Sequence, residues 1–198
     1  MVDIRQGELH VWSATQARIL KYADLSRVYF SEEERKKAAS LGSVAVRDAG
    51  MAARLYTRII LSAYLSCDPA EVLLTENEYG KPLISNDLSS DLFYNISHSG
   101  GRILLGIAYR ASVGVDIERV RSDLPYLNLA RRFFARSEYN LIVNAPESDK
   151  VNMFFRIWTK KEAFVKAQGR GIAYGLKQFV VDPVNKGMDC LRLVFRCI

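Results

Sequence analysis

Long apolar runs, histidine and cysteine are all scarce in this chain of 198 residues. No stretch approaches the roughly 20 apolar residues that a membrane-crossing helix needs, because the greasiest run, Ile103 to Tyr109, is bracketed by Arg102 and Arg110. No bilayer span is expected. The first eight residues alternate polar and apolar side chains and do not order a charged segment before an apolar one, so no secretory leader is expected and a cytoplasmic location is. Cys67, Cys190 and Cys197 are odd in number, lack metal-ligand spacing and sit among apolar neighbours. That pattern argues against a disulfide framework and predicts buried free thiols. No strong internal repeat and no low-complexity segment appears.

What is present is enough apolar material, 49% of the residues, to bury a real core, in a length between one large domain and two small ones. The formal charge of +6 suits an anionic partner without saying which: nucleic acid, a phosphorylated cofactor or an acidic protein all qualify.

Periodicity predicts a short strand over 9–13 and a helix opened by the capping box Ser31/Glu34 and running to about Ser40. A longer helix is predicted from Val44 to Leu65, with Arg47, Arg54 and Arg58 emerging from its surface. Asp68-Pro69 starts a turn. Strands are expected over Val72 to Thr75, Phe93 to Ile96 and Ile103 to Tyr109. Ser112 to Glu118 alternates strictly and reads as a strand that projects Asp116 and Glu118 from one face. Short helices follow over Leu127 to Phe134 and Glu138 to Val143, then a long one from Val151 to Ala167 that stops near Gly169. The end reads as stranded again, over Gln178 to Val181 and Leu191 to Phe195. The natural seam is the polar stretch from Arg110 to Ser112.

Asp116 and Glu118 lie close enough on such a strand to share one hard cation, and equally suit the solvated face of an edge strand. On the long helix, Trp158, Glu162 and Lys166 share a stripe, and Glu162 with Lys166 also reads as a surface ion pair of about 0.2–0.5 kcal/mol. Were Glu162 to meet the strand pair, three carboxylates would suit magnesium and phosphate. The segment Asn95-Ile96-Ser97-His98-Ser99-Gly100-Gly101 packs hydroxyls, an imidazole and glycines into a turn suited to an anion.

Four segments then resemble one family, in order: Tyr79-Gly80-Lys81-Pro82, Phe93 through Ser99, Gly114-Val115-Asp116-Ile117-Glu118, and Trp158 through Ala167. The sequence is similar to the surfactin-type 4′-phosphopantetheinyl transferases, within the holo-acyl-carrier-protein synthase superfamily, from about Ser31 to Gly171. The resemblance implies an α+β fold of two pseudo-twofold-related lobes, 1–111 and 112–198, each a small antiparallel sheet packed with a long helix, with the active site in the cleft between them. It implies transfer of the phosphopantetheine arm of coenzyme A to a serine of an acidic acyl or peptidyl carrier protein, with release of adenosine 3′,5′-bisphosphate.

By the same resemblance Asp116, Glu118 and Glu162 hold magnesium, Glu162 and Lys166 are catalytic, and Lys81, Ser97, His98 and Lys166 contact coenzyme A. Arg47 is matched to the ribose 3′-phosphate, although Gly50-Met51 follows it where the family pattern has a bulkier pair. Lys160 reads as a solvated charge, Lys161 as part of a basic rim and Phe133-Phe134 as core or docking surface. A monomer that binds neither nucleic acid nor membrane is implied. The rival readings are a basic metal-dependent nuclease or nucleic-acid-binding protein using the same carboxylates, which leaves the Gly-Lys-Pro and Asn-Ile-Ser-His-Ser segments unexplained, and a family member that binds without catalysis.

Overall fold

A computed structural model describes residues 2–40, 42–85, 91–169 and 175–183, together with the backbone of 192–197. Strand β1 (Glu8–Thr15) leads into the short helices α1 (Gln16–Leu20) and α2 (Ser26–Tyr29). Helix α3 (Glu32–Ala39) starts at the predicted capping box: the Ser31 hydroxyl accepts from the Glu34 N–H while the Glu34 carboxylate accepts from the Ser31 N–H. Helix α4 (Val44–Leu65) has the predicted ends, with the Ser43 hydroxyl as N-cap and Ser66 in the left-handed region as C-cap.

Strands β2 (Leu74–Glu76) and β3 (Pro82–Ile84) form a two-stranded sheet. Strands β4 (Leu92–Ser99) and β5 (Arg102–Tyr109) form a hairpin closed by Gly100-Gly101. Both glycines have positive φ, 56° and 76°, as a two-residue turn matched to strand twist requires.

After β5 come α5 (Tyr126–Phe133), α6 (Arg136–Asn144), α7 (Glu147–Gln168) and β6 (Arg192–Cys197). The main sheet has the order β4-β5-β1-β6, antiparallel except that β6 runs parallel to β1. The expectation of an antiparallel sheet in each half therefore differs from what is described: among the described residues the second half contributes only β6, and it joins the first half's sheet. Of the cysteines, Cys67 is a free, half-buried thiol; Cys190 and the side chain of Cys197 lie outside the described residues. No helix among the described residues is long and apolar enough to cross a membrane.

Each sheet face has its own cover. Ile103, Leu105 and Ile107 of β5 point into a cluster with Leu55, Tyr56, Ile60 and Leu61 of α4. On the opposite face, Leu9, Val11 and Ala108 pack with Val113 and Val115. A third cluster joins Ala130 of α5, Phe134 just after that helix, Ile142 of α6, and Phe154 and Ile157 of α7.

The segment 112–119 is extended but is no strand, which corrects the reading from alternation. Its backbone is held by side chains of edge strand β4. Val115 N–H donates to Asn95 Oδ1 (2.9 Å), Ile117 N–H to Ser97 Oγ (3.3 Å) and Arg119 N–H to Ser99 Oγ (3.1 Å). Alternate residues of a strand share a face, so Asn95, Ser97 and Ser99 act as one comb.

Gly114 sets how close α7 comes to that segment. A Cβ there would stand 1.9 Å from the Ala163 carbonyl oxygen and 2.4 Å from the Ala167 nitrogen, so only glycine lets the helix backbone rest on the chain. The predicted strand over Gln178 to Val181 is likewise corrected: Leu176–Gln178 is a 3-10 turn, and extended chain follows.

Candidate active site

A pocket of about 580 Å³ lies at the edge strand β4. One wall is the stripe Gly50, Ala53, Arg54 and Thr57 of α4, spaced three and four apart as one helix face requires. The other wall brings Asp116 and Glu118 from the extended segment against Trp158, Glu162 and Lys166 of α7. Ser97 and His98 lie between, on opposite faces of the edge strand. Six of the eight residues singled out from sequence therefore share one pocket.

At the centre, Lys166 Nζ donates to Asp116 Oδ1 (2.6 Å) and to Ser97 Oγ (3.1 Å), and Ser97 Oγ also lies 2.9 Å from Asp116 Oδ1. The Asp116 side chain is only 4% exposed. Its second oxygen, Oδ2, is buried without a hydrogen-bond partner, and a buried acceptor in that state costs free energy until something donates or coordinates. Glu118 reaches out from the same segment and accepts from Ser99 Oγ (2.8 Å).

Glu162 has its pKa raised, chiefly by burial and then by the Asp116 charge; Lys166 opposes the rise and Glu118 adds to it. The acids thus feel one another across the pocket. Among the described residues no three or more His, Cys, Asp or Glu side chains are gathered tightly enough to hold a metal ion unaided. Lys166 fills one Asp116 oxygen instead. The imidazole of His98, at the pocket lip, has its pKa lowered by partial desolvation and by the Lys166 charge.

Two predicted contacts stand elsewhere. Lys81 lines an adjoining hollow of about 290 Å³ that shares Glu162 and Lys166 with the main pocket. Its ammonium donates to the Ala167 carbonyl and to Ser112 Oγ, both at 2.8 Å, while Asn77 Nδ2 donates to the Gly169 carbonyl. These bonds satisfy carbonyls at the end of α7, where a cation also suits the helix dipole. Burial lowers the Lys81 pKa. Arg47 is half-buried one turn before Gly50 on the α4 stripe, and is not among the residues lining the pocket.

Arg54, read from sequence only as a surface charge, lines the pocket. Its place at i+4 from Gly50 carried that signal. Arg58 is corrected from surface to core: it is 3% exposed, with its guanidinium on both oxygens of Glu34 (2.7 and 2.9 Å) and on the Val72 carbonyl. Lys161 is corrected from basic rim to core. It is 0% exposed, 2.8 Å from Glu138, and donates to the carbonyls of Leu176 and Phe179. Lys160 donates to the Asp182 carbonyl. Phe134 is buried, while half-buried Phe133 packs edge-on to Trp158.

Residues 112–195 match the family model described as the 4′-phosphopantetheinyl transferase superfamily. The 4′-phosphopantetheinyl transferase HetI of Nostoc is 36% identical over 152 residues, covering 76% of this chain and 59% of the relative. The chain belongs to the 4′-phosphopantetheinyl transferase superfamily. Within that superfamily it is also similar to the surfactin-type transferases Gsp of Aneurinibacillus migulanus, 33% identical over 74% of this chain and 60% of the relative, and Sfp of Bacillus subtilis, 31% identical over 69% and 58%. The chain thus spans about three-fifths of the length of these relatives.

Proposed function

We propose that this protein transfers the 4′-phosphopantetheine arm of coenzyme A to a serine of an apo acyl or peptidyl carrier protein, aided by magnesium. The observation that carries the reading is the convergence of Asp116, Glu118, Glu162, Lys166, Ser97 and His98, drawn from three separate segments, on one pocket. We read the chain as lobes 1–111 and 112–198 related by a pseudo-twofold axis, with the pocket as the cleft between them; two apolar clusters, one among residues 14–107 and one among 130–157, support the division. The partners are coenzyme A and the carrier; nucleic acid and membrane have no part, and the enzyme works as a cytoplasmic monomer.

The reaction is a substitution at phosphorus. The carrier serine oxygen bonds to the β-phosphorus of coenzyme A, the bond from that phosphorus to the bridging oxygen breaks, and adenosine 3′,5′-bisphosphate departs. Lys166, held at the pocket centre by Asp116, faces the charge that develops on the phosphoryl oxygens. Glu162 accepts the serine proton, directly or through water. Ser97 and His98 orient the diphosphate. Arg47 reaches the ribose 3′-phosphate, and Lys81, with two of its three N–H donors engaged, offers the third to the nucleotide.

Magnesium fits this donor set. The unpartnered Asp116 Oδ2 is an acceptor that a hard cation satisfies, and magnesium characteristically takes one or two carboxylates and completes its shell with water and substrate phosphates. Asp116, Glu118 and Glu162 would hold it. Once bound, it neutralises charge on the diphosphate.

The test is release of adenosine 3′,5′-bisphosphate from coenzyme A when apo carrier and magnesium are supplied, followed by chromatography. Release that depends on both, and that Asp116→Ala abolishes, supports the reading; equal release by Asp116→Ala excludes this site.

A further inference from the structure

A second polar hollow, of about 460 Å³, is lined by Arg131, Phe134, Ala135, Arg136, Tyr139 and Lys177. Its three cations come from the end of α5, the start of α6 and the 3-10 turn after α7, and all three are exposed. Among the described residues no carboxylate lies within ion-pair distance of any of them. The buried cations differ: Arg58 faces Glu34 and Lys161 faces Glu138.

Local stability accounts for only part of this cluster. Arg131 lies in the last turn of α5, where a cation suits the helix dipole. Arg136 is the first residue of α6, the positive end, where the dipole disfavours it. Three like charges around one hollow also repel, a cost that an external anion would relieve. Tyr139, one turn on from Arg136, adds an aromatic face to the hollow, and tyrosine and arginine are both enriched among the residues that carry binding energy at protein interfaces.

Position points to the partner. Phe134 of this hollow packs on Trp158 with ring centroids 6.2 Å apart, and Trp158 lines the main pocket. One aromatic layer thus separates the two. We propose that Arg131, Arg136, Tyr139 and Lys177 dock a carboxylate-bearing surface of the acceptor protein, holding it beside the pocket its serine must enter. The identity of that partner rests on the transferase reading. Outward-facing cations around an open hollow suit a convex acidic protein surface, and salt weakens such docking.

The test is a titration of isotope-labelled apo carrier with the full chain, which reads binding whether or not transfer occurs. The variants are Arg131→Glu/Arg136→Glu and, in the exposed turn, Lys177→Glu, with thermal midpoint and coenzyme A affinity checking that each folds. Each variant is expected to raise the carrier Kd, the double one by roughly tenfold or more, and to raise the carrier KM while kcat at saturating carrier stays unchanged. An unchanged carrier Kd in either folded variant overturns the proposal. So does a wild-type chain that binds no carrier, or variants that lose affinity only for an oligonucleotide. Tight, salt-sensitive carrier binding without transfer sustains the docking face and removes the transferase reading.

Discussion

The ammonium of Lys161 lies 2.8 Å from Oε2 of Glu138, and neither side chain is exposed. Each is fully served. Lys161 also donates to the carbonyls of Leu176 (2.7 Å) and Phe179 (2.6 Å) and sits 4.3 Å from the Phe179 ring centroid, while Glu138 accepts from the N–H groups of Ala135 (2.9 Å) and Val181 (2.8 Å). One buried pair thus ties α6, α7 and the segment after α7 together. It also fixes the rotation of α7, turning the adjacent Glu162 toward the pocket.

Removing one partner of such a pair strands the other charge, at a cost of about 3–5 kcal/mol. Lys161→Met and Glu138→Leu are each expected to destabilise the fold on that scale, and the double variant to recover part of the loss. Urea denaturation of the four proteins measures it, and additive losses would show that the pair is not coupled.

Gly114 is expected to reject even a methyl group. Gly114→Ala must push α7 off the extended segment, because the new Cβ would meet the Ala163 carbonyl at 1.9 Å. Overpacking of this kind costs about 1–3 kcal/mol or somewhat more. Movement of α7 also carries Lys166 and Glu162 away from Asp116, so activity should fall further than stability alone explains. Denaturation midpoints and turnover, compared below the unfolding transition, separate the two effects.

Glu34 sets a pH limit on the first half. Burial pushes its pKa up, but the hydrogen bond from Arg58, with those from the Ser31 backbone and Arg54, outweighs burial and leaves it below the ordinary value. A carboxyl whose pKa is lower folded than unfolded stabilises the fold at pH above its unfolded value, near 4.3, and that stability disappears as pH falls through the folded value. Denaturation midpoints should therefore drop as the solution is acidified from about pH 5 downward, and Glu34→Gln should be less stable at pH 7 with a flatter acid limb. An acid limb unchanged in Glu34→Gln would assign the loss to other groups.

The parts of this architecture written locally were legible in the chain. Ser31 with Glu34 and the apolar spacing from Val44 to Leu65 each specify geometry over a few residues, and those helices end where the signals end. The turn read over Asn95 to Gly101 is corrected to Gly100-Gly101 alone: Asn95 through Ser99 continue β4, because their backbone pairs with β5. What failed to show was what depends on distant partners. Arg58 and Lys161 look like surface charges by periodicity and are core residues, because Glu34 lies 24 positions and Glu138 23 positions away in sequence. The alternation of 112–118 is real, but its N–H groups are met by the side chains of Asn95, Ser97 and Ser99 and not by a strand backbone. The site residues carried a residue-type signal, and their convergence depended on Gly114.

Within the pocket, Lys166 and Asp116 should separate in their effects. On the proposed reaction, Lys166→Ala removes the cation that would face the developing charge and is expected to lower kcat by about 100-fold or more while leaving coenzyme A affinity nearly intact. Asp116→Asn keeps the shape but loses the charge that holds Lys166, and should lower turnover and weaken the response to added magnesium together. Steady-state kinetics with magnesium titration distinguishes them, and a pure affinity loss in Lys166→Ala would make it a binding residue only.

The most direct measurement is the intact mass of an apo carrier protein after incubation with this protein, coenzyme A and magnesium. The account predicts one phosphopantetheine adduct on the carrier serine, absent when magnesium is chelated. Carriers from fatty-acid, polyketide and peptide synthesis that all emerge unmodified would contradict it.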